Sequence, residues 1–221
     1  MKKITLIALL VATTAMTWAQ STANHSKARL NVYGSYVFDD GFDVYNDANT
    51  YFNGTIKGGL QWGGGIEYLP DQHFSVELLY LNKSSDVPTT FKFGAAEPKR
   101  DETFDLTHHY ILLAGNRLQR SSDGKIEGYA GLMAGVLISD LKSPSTGKSG
   151  SKTDFTWGGR LGLNYWMSEK VGIKLQANIL TASKATGGDY YWSYWGPLYL
   201  NTYSTLWQFG LGGGLTFRLG N

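Results

Sequence analysis

The chain has 221 residues, no cysteine and a formal net charge of +2. Charged residues make up 17 %, below the roughly 25 % of ordinary domains, while glycine numbers 28 and aromatics reach 14 %. These figures exclude a disulfide-stapled domain and a cysteine-based zinc or iron–sulfur centre. The lack of any 18-residue apolar run excludes a polytopic helical membrane protein. What they suit is an all-β protein whose surface is not meant for water.

The N-terminus reads as an address. Met1-Lys2-Lys3 is a short basic start, and Ile4 to Ala12 is an apolar stretch too short to span a bilayer. Small residues follow, ending in Thr17-Trp18-Ala19, which predicts a secretory signal peptide over residues 1–19 with cleavage after Ala19. Residues 20–28 then form a short N-terminal segment, and 29–221 form one domain. Removing Lys2 and Lys3 leaves 18 basic and 18 acidic residues, so the mature chain carries no electrostatic signal for nucleic acid.

A two-residue period runs through that domain. The first strand sets Leu30, Val32, Gly34, Tyr36 and Phe38 against Arg29, Asn31, Tyr33 and Ser35. The second sets Leu60, Trp62, Gly64, Ile66 and Tyr68 against Gln61, Gly63, Gly65 and Glu67. In the third, Phe74, Val76, Leu78 and Tyr80 oppose Ser75, Glu77 and Leu79. The fourth, about 103–117, alternates at Phe104, Leu106, His108 and Tyr110 and then becomes apolar on both faces. The fifth, 126–138, is small and apolar throughout; Glu127, Tyr129, Gly131, Met133 and Gly135 are assigned inward. The sixth sets Phe155, Trp157, Leu161, Leu163 and Tyr165 against Thr156, Gly158, Arg160, Gly162 and Asn164. The seventh sets Val171, Ile173, Leu175, Ala177 and Ile179 against Gly172, Lys174, Gln176 and Asn178. The last, Trp207 to Leu219, alternates without a break for thirteen residues.

Eight strands are thus expected. Short connections lie near residues 70–73, 121–124 and 167–170, and long ones run about 39–55, 82–102, 139–154 and 180–205. All five prolines are placed in connections. This rhythm predicts an eight-stranded antiparallel up-and-down transmembrane β-barrel. The apolar set carries aromatics near both strand ends, as the two water–lipid boundaries favour: Tyr36, Phe38, Phe104, Trp157 and Trp207 at one, Tyr68, Phe74, Tyr165 and Phe217 at the other. A soluble barrel would put its charges outside, whereas here they share a face with the glycines.

With its signal peptide, eight alternating strands and final strand LWQFGLGGGLTFRLGN, the chain resembles the small outer-membrane β-barrels of the OmpA/OmpX/OmpW kind. The resemblance covers essentially all of the mature chain. It implies residence in the outer membrane among lipid and lipopolysaccharide, and insertion by the barrel assembly machinery. One departure stands out: such barrels usually end on an aromatic residue, whereas here Leu219 is followed by Gly220-Asn221.

The inward face is expected to be a polar plug. Arg29, Glu67, Glu77, Glu127, Lys174 and Arg218 are placed near the short turns, Arg160 at mid-barrel and Asp105 nearer the loops. Unpaired charges in a narrow lumen are costly, so the matched signs predict a paired network. No cofactor and no metal site is expected. The acidic loop Asp39 to Asp47 matches no EF-hand spacing, and His108 and His109 diverge on opposite strand faces. Loop four concentrates Tyr190, Tyr191, Trp192, Tyr194 and Trp195, which mark a surface glycan or protein partner or else an enlarged upper girdle. The expected function is a non-enzymatic barrel with an envelope-structural or surface-binding role. Two alternatives remain open. One is passage of small apolar solutes along Leu79, Leu81, Ile111, Leu113 and Met133; the other is a lipid A-modifying enzyme with His109 as an inward base, as the resemblance to lipid-modifying barrels implies.

Overall fold

The computed structural model describes residues 27–47, 50–93, 96, 98–183, 190–193, 196–199 and 206–220. The expected signal peptide lies outside them. In chain order the strands are β1 (Ala28–Val37), β2 (Asp40–Asp47), β3 (Thr50–Ile56), β4 (Gly59–Tyr68), β5 (Phe74–Phe93), β6 (Arg100–Arg120) and β7 (Ile126–Lys142). They continue as β8 (Ser149–Trp166), β9 (Val171–Ser183), β10 (Tyr190–Ser193), β11 (Gly196–Tyr199) and β12 (Leu206–Leu219). Antiparallel pairing runs β1–β4–β5–β6–β7–β8–β9–β12 and closes with β12 on β1, from Ala28 opposite Leu219 to Val37 opposite Gly210. Closure gives each of these eight strands two partners, so their backbone donors and acceptors are satisfied without water.

The outer wall is apolar. Leu132 is 75 % exposed, Leu60 67 % and Leu161 64 %, and both expected aromatic rings project outward. Phe104 is the exception and its outward placement is corrected: it shares a strand face with Leu106, His108 and Tyr110 and packs against buried Ile56, Val87 and Leu106. At the short-turn end, the link between β6 and β7 is a tight turn. Ser121 O accepts from Gly124 N at 3.0 Å, and Gly124 sits at φ 68°, a conformation that favours glycine.

At the other end the structure differs from the sequence expectation. The long connections contain strand: β2 and β3 form a hairpin inside 39–55, and β5 and β6 run on to Phe93 and back from Arg100. Two prolines therefore sit in strands. Pro88 lies in β5 one residue beyond the β3 ladder, which ends at Thr89 opposite Gly54, and Pro197 lies in β11. Twenty residues of β5 at about 3.3 Å each reach about 65 Å, or about 45 Å of height at a 45° tilt. An apolar band is about 25 Å tall, so this hairpin stands well clear of it.

A second difference is the register of β6. His108, Tyr110, Leu112 and Ala114 point inward and are buried, whereas Asp105 is exposed and His109 lies on the outer face. The expected placement of Asp105 and His109 inside is corrected by one residue. From Phe104 to Thr107 the alternation is inverted: Leu106 is buried with Ile56 and Val87 while Asp105 is exposed, because above the apolar band the outer face meets water. From Tyr110 to Ala114 both faces are apolar, so nothing there restored the phase, and a one-residue slip flips every side chain.

Candidate functional site

The lumen is built in three tiers, which can be followed up β5: Glu77, then Leu79 and Leu81, then Lys83. The lowest tier holds the charges. Arg29 on β1 grips Glu127 on β7 with both guanidinium nitrogens, at 2.6 and 3.0 Å. The carboxylate of Glu127 also accepts from Arg120 Nε at 2.6 Å and Asn164 Nδ2 at 2.9 Å. Beside it, Arg160 donates to Glu77, whose other oxygen accepts from Asn31 at 2.7 Å and from the Tyr33 hydroxyl. Glu67 lies 3.7 Å from Arg29 and 3.8 Å from Lys174. The Lys174 ammonium also sits 4.8 Å above the Tyr129 ring. Glycines make this density feasible: a Cβ on Gly162 would stand 2.7 Å from the Tyr129 hydroxyl.

Two expected members stand apart. Asp105 is outside the barrel on β6, far up the strand. Arg218 stacks over Trp166 at 3.6 Å and donates to the Glu169 carbonyl at 2.9 Å, so it covers the lower mouth and bonds to no acid among the described residues. In its place the network takes Arg120, at the end of β6, whose role no alternation in the sequence marks. The run of apolar residues before it hid the phase of the strand.

Above the charges lies an apolar tier of Leu79, Leu81, Tyr110, Leu112, Ala114, Met133, Leu137 and Leu180, packed with Tyr33. Of the apolar track expected from sequence, Leu79, Leu81 and Met133 are here. Ile111 and Leu113 face outward at 39 % and 58 % exposure, because β6 carries the other register. The top tier is polar: Gln61, Lys83, His108 and Gln208 are all buried. Tyr110 donates to Gln208 at 2.7 Å across the lumen, and Gln208 meets His108 Nδ1 at 3.3 Å.

Outside, His109 Nδ1 is 2.7 Å from the Tyr80 hydroxyl and 3.2 Å from Asn82, and its Nε2 is 3.5 Å from Asp140. The nearby Ser84 hydroxyl pairs with Thr107 at 3.3 Å. This differs from an inward base with a serine beside it. No group of three or more metal-ligating side chains occurs among the described residues. In loop four, β10 and β11 form a hairpin with Tyr190 opposite Tyr199, Tyr191 opposite Leu198 and Trp192 opposite Pro197. Tyr194 and Trp195 lie outside the described residues.

A closed barrel with a lipid-like wall and charges inside has one natural habitat, and a family comparison decides it. A model described as an outer membrane protein beta-barrel domain matches residues 5–217. The chain belongs to that family. It is therefore an outer-membrane protein, set among the lipids of that membrane. Among solved structures, Neisserial surface protein A superposes with a TM-score of 0.55 at 9 % identity, covering 89 % of this chain and 100 % of its own. The outer membrane protein OprG from Pseudomonas aeruginosa gives 0.53 at 14 % identity, covering 89 % and 99 %. At such identities the likeness is one of fold. No curated protein matches the chain significantly.

Proposed function

We propose that this outer-membrane barrel is non-catalytic and closed to the passage of solutes, and that it serves envelope integrity or surface binding through its outer hairpins. The observation that carries this reading is the cross-lumen grip of Arg29 on Glu127, both at most 1 % exposed, beneath a packed apolar tier. A lumen braced across its diameter and filled by its own side chains has little room for a hydrated solute. The hairpins that rise beyond the apolar band supply the surface. Loop four, with Tyr190, Tyr191, Trp192, Tyr194 and Trp195, is the segment offered to a glycan or protein partner, since Trp and Tyr pair flat apolar faces with polar edges. Cleavage after Ala19 and insertion by the barrel assembly machinery belong to the same reading.

The test has two arms. Planar-bilayer recordings on the purified barrel should show no steady porin-like conductance; large stable currents would overturn the closed lumen. Cells carrying Trp192→Ala with Trp195→Ala should lose adhesion to glycan or protein arrays while the barrel still shifts on gels after boiling. Unchanged adhesion would leave these rings as membrane anchors.

A further inference from the structure

The top tier of the lumen holds buried donors without partners among the described residues. Pairing across the sheet sets Gln61 opposite Lys83 and Lys83 opposite His108, so three inward side chains from β4, β5 and β6 form one row. They are 1 %, 1 % and 2 % exposed. Lys83 Nζ, which carries three hydrogens, has no hydrogen-bond partner among the described residues, and neither has Gln61 Nε2. The Gln61 carbonyl oxygen is already held by the Ser35 hydroxyl at 3.4 Å. In the orientation assigned to Gln208, its oxygen takes the Tyr110 hydroxyl, so its Nε2 donates to His108 Nδ1. A neutral His108 then carries its own hydrogen on Nε2, which adds a third donor to the row.

The charges of Asp39 and Asp40 reach Lys83, but neither carboxylate accepts a hydrogen bond from it. Asp39 pairs with Lys57 at 3.1 Å and accepts from Gly58 N at 2.7 Å. Asp40 accepts from Trp207 N at 3.1 Å. A buried ammonium without a close acceptor is strongly unfavourable, and the amide and imidazole N–H groups beside it offer it none.

We propose that the row Gln61–Lys83–His108 is a binding site for a small monovalent anion of the carboxylate class, entered from the outer face. Lys83 supplies the charge, and Gln61 and His108 supply neutral donors that fix orientation. The apolar tier begins at Leu81, two residues down the same strand, so a short hydrocarbon tail on the anion would meet apolar side chains below it. Entry from below is barred by the charge tier.

Acetate is the probe. The purified barrel in detergent is titrated with sodium acetate at constant ionic strength, with sodium sulfate as the balancing salt, and its unfolding midpoint is followed by gel mobility. A ligand held only by the folded state raises that midpoint in proportion to the logarithm of its concentration, so the wild type should gain several degrees. Lys83→Met should gain none. An equal response in the two proteins, or a flat wild-type response, would overturn the site. Asp40→Asn gives a further reading: an acetate response that appears only in this variant would make Asp40 the true counter-ion and end the proposal. If Lys83→Met does not fold, wild-type crystals soaked in bromide decide. An anomalous peak beside Lys83 Nζ supports the site, and no peak there refutes it. None of these readings depends on conductance, so failure here is separable from failure of the closed-lumen reading.

Discussion

Arg29 and Glu127 face each other from β1 and β7, which stand four strands apart on an eight-strand ring and hence on opposite walls. Their bidentate pair is a brace across the diameter. Tyr110 and Gln208, on β6 and β12, form a second brace across another diameter, higher up. The barrel is thus held from inside by polar side chains as well as around its wall by the backbone ladder.

The Arg160–Glu77 pair supports the same tier and is nearly fully buried. Replacing Arg160 by Ala leaves the Glu77 carboxylate with only Asn31, Tyr33 and distant Lys174. Loss of one partner from a buried pair costs about 3 kcal/mol or more. Urea unfolding in detergent should show this drop, and Arg160→Met combined with Glu77→Gln should recover a large part of it. A drop below about 1 kcal/mol would mean that water reaches the tier freely.

Arg218 should behave differently. It meets no carboxylate among the described residues, and its guanidinium lies on the Trp166 ring. Arg218→Ala should cost only about 1 kcal/mol, the scale of a half-exposed cation–π contact. Trp166→Leu should remove most of that sensitivity in a double-mutant cycle.

Gly162 faces inward where the Tyr129 side chain crosses it. A Cβ there meets both the Tyr129 hydroxyl and the Leu175 carbonyl oxygen of the neighbouring strand. Because one obstacle is backbone, rotating Tyr129 away cannot relieve the clash. Gly162→Val should yield little heat-modifiable barrel on gels, and adding Tyr129→Phe should not rescue it. Normal yield of the single variant would contradict this packing.

Outside the membrane, Asp39 ties the start of loop one to Gly58. The Gly58 amide and the Lys57 ammonium hold its carboxyl below the ordinary value. A depressed value means the contact contributes above about pH 4, the unfolded carboxyl's range, and is lost as pH falls through the folded value. Hydrogen exchange at Gly58, corrected for the intrinsic rate, should therefore lose protection on acidification. Asp39→Asn should remove that pH dependence.

Legibility in the sequence followed the contrast between the two faces of each strand. Where one face is apolar and the other is glycine or polar, as in Trp207 to Leu219 or Phe155 to Tyr165, alternation alone assigned inside and outside, and the structure agrees. Lipid contact on one side and a charged lumen on the other make that contrast sharp. It inverts from Phe104 to Thr107, where Leu106 packs inside with Ile56 and Val87, and vanishes from Tyr110 to Ala114, because the lumen carries its own apolar tier there. For that stretch, only pairing of β6 with β5 and β7 fixes which histidine points in.

Sequence by itself determined the eight barrel strands, the membrane-facing wall and the presence of inward charges, since these depend on local period and composition. Partnership was decided by the tertiary structure. Arg29 meets Glu127 across 98 residues of chain, and Lys83 ends buried without an acceptor among the described residues, because ring closure brings distant strands face to face. No local pattern encodes which opposite wall a side chain will reach: that depends on how the strands are staggered when the sheet closes.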